Sequence, residues 1–194
     1  MLHPSLRIAS VEARRDPGYP HSMRTYLRDR TPGGCYFFTV NLADRKRSTL
    51  IEHIDALRDA FRRTLADHPV QVDAIVVLPD HLHCLWKLPP GDTDFPRRWR
   101  LIKARFAAQV ADDVLPNASR RRRGERGVWQ RRYWEHLIRD DADHARHLDY
   151  IHFNPVKHGH AASARDWPYS SFHRWVARGV YTEDWGSASY PPPP

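Results

Sequence analysis

Only two cysteines, Cys35 and Cys84, occur in the 194 residues, too few for a disulfide framework. Both are expected to behave as small buried hydrophobes in a reducing compartment. Long apolar runs are equally scarce: no stretch approaches the roughly 18 residues that a transmembrane helix requires. Residues 1–30 mix His, Arg, Asp and Pro without the apolar stretch of about 7–15 residues that a secretory signal needs. The expectation is therefore a cytoplasmic chain with no membrane partner. Lysine is rare as well, since Lys46, Lys87, Lys103 and Lys157 are only four of the 31 basic residues.

What is abundant is arginine. The other 27 cations are Arg, against 23 acidic residues, giving a formal net charge of +8 on a chain that is 41% hydrophobic. That composition describes a soluble, basic globular domain with extensions. Arg enrichment also arises from GC-rich coding, but a guanidinium grips phosphate bidentately and stacks on bases. The run Arg120-Arg121-Arg122-Arg123 and the 7 Trp, 8 Tyr and 7 Phe add charge and stacking surface, which favours a nucleic-acid partner.

Residues 1–34 are punctuated by Pro4, Pro17, Gly18, Pro20, Pro32, Gly33 and Gly34 and show no sustained period, so they read as a poorly ordered basic N-terminal arm. The first strand is expected at residues 35–42, rich in aromatic and β-branched residues. Leu50, Ile54, Leu57, Phe61 and Leu65 then recur at helical spacing after Ser48 as N-cap. Residues 72–78 and 81–88 read as two strands around the turn Pro79-Asp80. Residues 98–110 form a second helix whose outer face is expected to carry Arg97, Arg98, Arg100, Lys103 and Arg105. Residues 128–138 resemble a fourth strand, and a helix starts at the acidic cap Asp140-Asp141-Ala142-Asp143, with Pro155 expected to end it at Asn154. The order βαββαβ predicts an α+β fold with a ferredoxin-like, RRM-like antiparallel sheet, its first and third strands central, plus an additional C-terminal helix. Three regions follow: the arm, a domain over residues 35–160, and a C-terminal extension over 161–194 ending in a Pro-rich tail.

His81 and His83 alternate on the third strand and so emerge from one face. Two adjacent imidazoles can chelate a divalent metal, although His-x-His alone also fits a polar sheet face. A zinc hydrolase would want a nearby carboxylate such as Asp two residues on, where Leu85 stands, and a deaminase would want His-x-Glu with a Cys pair. On the last helix Asp143, His147, Tyr150 and Asn154 share one narrow stripe, opposite Ala145, Leu148 and Ile151.

Three motifs, Leu78-Pro79-Asp80-His81-Leu82-His83, Val128-Trp129-Gln130-Arg131-Arg132-Tyr133-Trp134 and Tyr150-Ile151-His152-Phe153-Asn154-Pro155-Val156-Lys157-His158-Gly159, resemble the REP-associated tyrosine transposases, a branch of the single-tyrosine HUH nucleases. The resemblance spans residues 35–175 and includes Trp167-Pro168-Tyr169-Ser170-Ser171. It implies that His81 and His83 are the HUH pair and that Tyr150 attacks a single-stranded DNA phosphate, leaving a 5′-phosphotyrosine bond and a free 3′-hydroxyl. It implies Asn154 as third ligand, with His81 and His83, of Mg²⁺ or Mn²⁺. It further implies a hairpin-forming palindromic repeat as substrate, for DNA nicking and rejoining by a monomer or homodimer that is nucleoid-associated when bound to DNA. A phenol with pKa near 10 needs a proton acceptor at neutral pH, and His147, on the Tyr150 face, is preferred over His152. Arg120, Arg121, Arg122, Arg123, Arg126, Arg131 and Arg132 are expected on phosphates, with Trp129 or Tyr133 stacking on unpaired bases. Two other readings stay open: a non-catalytic single-stranded nucleic-acid-binding domain on the same sheet, and a metal-dependent phosphodiesterase that activates water. An RRM would carry its aromatic motif where this chain has His-Leu-His.

Overall fold

The computed structural model describes residues 30–111 and 127–187. Most of the expected N-terminal arm, the Arg run and the Pro-rich tail lie outside the described residues.

Within them the strands are β1 (Cys35–Asn41), β2 (Gln71–Val77), β3 (His81–Lys87) and β4 (Trp134–Leu137). They form an antiparallel sheet in the order β2-β3-β1-β4, with β1 and β3 central as the βαββαβ pattern predicts. Two residues per pleat sort the chemistry of β1 cleanly. Tyr36, Phe38 and Val40 enter one face with Leu82, Cys84 and Trp86 of β3, and there they meet the helices. Those helices are α1 (Thr49–Glu52) with α2 (Ile54–Asp67), and α3 (Phe95–Gln109). The first helical stretch is thus split at His53, yet its backbone bonding continues, with the Leu57 N–H donating to the His53 carbonyl at 3.1 Å.

This α2/α3 face is dry and aromatic. Trp86 and Trp99 stack with centroids 4.4 Å apart at 9°, and Phe38, Phe95 and Tyr36 pack around them. Arg98, expected on the outer face of α3, is buried instead. Its guanidinium donates twice to Asp92 (3.1 and 2.6 Å) and to the carbonyls of His68 and Pro69, both at 3.0 Å. The helical period alone cannot separate a solvated Arg from one that finds a bidentate carboxylate and two carbonyls, because only the tertiary fold supplies those partners.

The opposite face of the sheet takes α4 (Asp141–Lys157), held by Leu148 and Ile151 on Phe37, Ala74, Val76, Leu78 and Leu85. Asp140 caps it, its carboxylate accepting the Asp143 N–H at 2.7 Å. Pro155 does not end this helix, contrary to the local rule. The chain stays helical for two more residues because the carbonyls beyond the break find donors. His158 N–H bonds Asn154 O at 3.1 Å and His160 N–H bonds Pro155 O at 2.8 Å, across a turn that Gly159 makes at φ +70°. Asn154 therefore keeps its place one helical turn beyond Tyr150.

The fourth strand is shorter than its apolar run, since only Tyr36 to Thr39 of β1 are paired with it and Trp129 makes a single bridge to Leu42. The segment after α4 runs along the outer edge of β2 and ends in α5 (Phe172–Ala177). Ser170 bridges Val76, the Ser171 N–H donates to Ile75 O, and the indoles of Trp167 and Trp175 donate to the carbonyls of Val77 and Asp73. An edge that would otherwise offer free carbonyls to another chain is thereby covered.

Two substitutions measure how α4 is held. Ile151→Ala is expected to lower unfolding free energy by about 3 kcal/mol, as emptying a buried aliphatic site does. Asp140→Ala should cost about 1 kcal/mol through the lost cap. Urea denaturation followed by far-UV circular dichroism checks both.

Candidate active site

Strand alternation puts His81 and His83 on the α4 face of β3, opposite Asn41 and Thr39 of β1. Both imidazoles are buried, at 4% and 3% exposure, so each must have its ring nitrogens accounted for. The Nδ1 side of each is held. His81 Nδ1–H donates to Asp80 Oδ1 at 2.7 Å, and Asp80 is in turn gripped by Arg45 Nε at 2.6 Å. His83 Nδ1 lies 2.9 Å from Thr39 Oγ1. With Nδ1 protonated toward these oxygens, the lone pair of each ring sits on Nε2. For His83, Nε2 is buried with no partner among the described residues.

Burial drives the His83 pKa well below the ordinary imidazole value, and the neighbouring cationic groups push the same way. Burial also lowers His81, against the pull of Asp80. Neutral rings are the form that binds a metal.

Above the pair runs α4. Tyr150 meets the His83 ring edge-on at 5.2 Å, and His158, two turns further, meets His81 at 5.6 Å. Between them in the helix, Asn154 is fully buried with both amide atoms unpartnered among the described residues. Two imidazole lone pairs and an unpartnered carboxamide are a donor set that suits a divalent cation with open positions. Desolvating an amide without a partner costs roughly 1–3 kcal/mol, which makes its retention here a functional sign. Tyr150 is itself 37% exposed, with Lys157 Nζ 4.9 Å from its ring centroid.

His147, one turn before Tyr150, bonds the Asp143 carbonyl through Nδ1 at 2.8 Å, which turns its Nε2 into an acceptor. Burial lowers its pKa, with Asp143 opposing, so it too is neutral at pH 7. Two other groups of close ligand-type side chains, His136-Asp143-His147 and Cys35-Asp73-His144, lie outside the His81/His83 pair. In both groups hydrogen bonds already engage part of the set, such as His136 Nε2 to Asp143 Oδ2 at 2.8 Å and His144 Nε2 to Asp73 Oδ2 at 3.2 Å.

The sequence-derived residues thus divide. His81, His83, Tyr150, Asn154 and His147 come together at one end of the α4 face. Arg131 and Arg132 are exposed, whereas Arg120, Arg121, Arg122, Arg123 and Arg126 lie outside the described residues. Trp129 and Tyr133 are on the α2/α3 side. Trp129 packs on Phe106 and donates its indole N–H to Lys103 O at 3.2 Å, and the Tyr133 ring lies against Phe38 and Trp99. Thr39 and Asn41 read in the sequence only as polar residues of an apolar strand, and Asp80 as a turn residue beside the histidines. Trp134 and Phe37, which flank Tyr150, read there as ordinary strand aromatics.

No protein-family model matches the chain. It is 48% identical over 165 residues to a Haemophilus influenzae protein assigned as a REP-associated tyrosine transposase, across 84% of this chain and 94% of that protein. To the REP-associated tyrosine transposase of Escherichia coli it is 45% identical over 163 residues, across 84% of this chain and 91% of that one. Among solved structures, a REP-associated tyrosine transposase bound to a REP hairpin superimposes with a TM-score of 0.72 at 45% identity, covering 84% of this chain and 91% of the other.

Asp143 anchors the first turn of α4, and its acid titration tests that role. Burial raises its pKa, but hydrogen bonds from His136 and from the Arg139 N–H outweigh this and bring it from 3.8 down to about 2. A depressed carboxylate stabilises the fold fully above pH 4 and loses that contribution as pH falls through about 2. The stability gap between the native chain and Asp143→Asn should therefore be constant from pH 7 to 5 and shrink from pH 4 downward, as read by urea unfolding at each pH.

Proposed function

This chain belongs to the REP-associated tyrosine transposases, and from that membership we propose that it nicks and rejoins single-stranded DNA at hairpin-forming palindromic repeats through a 5′-phosphotyrosine intermediate. It is an HUH tyrosine transposase, an enzyme that acts on DNA. No helix among the described residues is long and apolar enough to cross a membrane.

The observation that carries the reading is the Tyr150 ring set against the buried His83, with the unpartnered Asn154 amide one turn along the same helix. The Tyr150 phenol oxygen attacks the scissile phosphorus, and the bond from phosphorus to the 3′ oxygen breaks. DNA is then joined to the enzyme by a phosphotyrosine ester at the 5′ side, and the departing 3′ oxygen leaves as a hydroxyl after taking a proton. His147 Nε2, unprotonated at neutral pH, accepts the phenol proton in this reading. Because the ester keeps the energy of the original bond, a 3′-hydroxyl can attack it and restore a phosphodiester, which is rejoining or strand transfer according to whose hydroxyl attacks.

His81 Nε2, His83 Nε2 and the Asn154 carbonyl oxygen would hold Mg²⁺ or Mn²⁺. When bound, the ion supplies polarisation of the scissile phosphate and neutralises charge that develops there. Thr39 and Asp80 fix the two imidazoles so that Nε2, and not Nδ1, faces the substrate. Arg131 and Arg132, exposed on a chain of net charge +8, would contact phosphates in this reading.

The test is covalency. Incubated with labelled single-stranded oligonucleotides carrying a REP-type hairpin, the native protein should give a denaturant-resistant adduct that requires a divalent metal. Tyr150→Phe and His81→Ala should give none, and Thr39→Val should slow formation by about 10–100-fold, as losing a ligand's outer partner does. Cleavage without an adduct would point to a water-activating phosphodiesterase, and salt-sensitive binding with neither would leave a DNA-binding domain.

A further inference from the structure

Three large hydrophobic side chains are exposed among the described residues, Trp134, Tyr150 and Val180, and the first two line one cavity. Trp134 and Tyr150 border one cavity of about 260 Å³, together with Phe37, Arg146 and His147. Phe37 forms its floor, meeting Trp134 edge-on at 5.7 Å and Tyr150 edge-on at 5.9 Å. Trp134 is also braced laterally. Its indole lies parallel to His136 at 5.9 Å and 7°, and His136 stacks in turn on His147 at 4.7 Å and 18°.

This is an unusual residue for its position. β4 is the outer strand of the sheet at that side, and an outward aromatic on an edge strand is a liability unless something covers it. We propose that Trp134, backed by Phe37 and His136, is a stacking seat for one unpaired nucleobase adjoining the phosphate that Tyr150 attacks. The proposal rests on the tyrosine-nuclease reading above and deepens it by assigning the residue that recognises the single-stranded flank.

Three features favour a base over another apolar occupant. The cavity lies next to the nucleophile, so whatever fills it is continuous with the reacting strand. Its volume falls below the roughly 300 Å³ at which pockets for whole small molecules begin, which suits a single flat ring. Its rim carries Arg146, whose side chain is 68% exposed and touches Asp143 through one nitrogen at 3.2 Å. That guanidinium can reach a neighbouring phosphate. A base seated on Trp134 cannot at the same time remain stacked in a duplex, so the seat makes the site select unpaired nucleotides next to the cut. Stacking of this kind tolerates any base, because every base has a π face.

The experiment uses the full chain carrying Tyr150→Phe, so that binding is read without chemistry. The probes are single-stranded REP-hairpin oligonucleotides with 2-aminopurine, or an abasic residue, at each position around the cleavage site. One flanking 2-aminopurine should be quenched on binding, and an abasic residue at that position should weaken binding about tenfold to a hundredfold, the usual range for one stacked base. Adding Trp134→Ala should abolish the quenching and produce the same loss with intact DNA, while the abasic DNA then loses no more. Trp134→Phe should recover most of the affinity. Unchanged melting temperature of both variants excludes misfolding. Strictly additive effects of Trp134→Ala and every abasic position, or binding that Trp134→Ala leaves unchanged, would overturn the seat. The tyrosine-nuclease reading fails separately, if the native chain gives no adduct with DNA that it binds and quenches.

Discussion

Everything at the proposed site depends on the rotation of α4 about its own axis as it lies on the sheet. Leu148 and Ile151 sit three residues apart and enter the apolar patch of Phe37, Ala74, Val76, Leu78 and Leu85. At roughly 100° per residue this fixes where the remaining side chains point. Tyr150 and Asn154 are delivered over β3, and His147 beside Phe37, because two aliphatic side chains choose the helix face. The capping carboxylate of Asp140 and the carboxylate of Asp143 secure its first turn, so the helix is held at its start and along its apolar seam.

The same docking creates a local cost. Two imidazoles and a carboxamide are buried between helix and sheet, and the outward ring nitrogen of His83 and the whole Asn154 amide find no partner among the described residues. Arg98 shows the other way of burying a polar group, surrounded by four acceptor contacts. The indole nitrogens of Trp86 and Trp99 are unpartnered too, and what sets His83 and Asn154 apart from them is their place together beside the exposed Tyr150.

Much of this was legible in the sequence, and the limits have identifiable causes. The strands followed from periodicity and turn residues, their order in the sheet from the βαββαβ pattern and the family resemblance, and the His81/His83 pair was placed on one face by alternation alone. The polar stripe on α4 was likewise readable at helical spacing. The end of that helix was not: Pro155 obeys a local rule that is overridden by carbonyl partners three to five residues on, which only the folded turn at Gly159 brings into reach. Arg98 escaped for a similar reason, since the His68 and Pro69 carbonyls it bonds lie in the α2–β2 connection, far from it in the sequence. Trp129 and Trp134 look alike as aromatics of one motif, but the four residues between them include irregular backbone before β4 begins. Alternation therefore cannot assign their faces, and they prove to lie on opposite sides of the sheet.

That separation of faces explains how a small domain tolerates a site of unpartnered polar groups. The α2/α3 face concentrates the large buried rings, Trp86, Trp99, Tyr36, Phe38, Phe95 and Phe106. Fully burying rings of this size contributes most of a core's hydrophobic free energy. The α4 face has a smaller apolar patch and gives the rest of its area to imidazoles, an amide, Thr39 and Asn41. Because strands alternate strictly, each residue of β1 and β3 serves one face only, so Phe38 and Trp86 pack the core while their neighbours Thr39 and His83 face the proposed site. Core packing and the proposed site are thus encoded on the same strands, one residue out of phase.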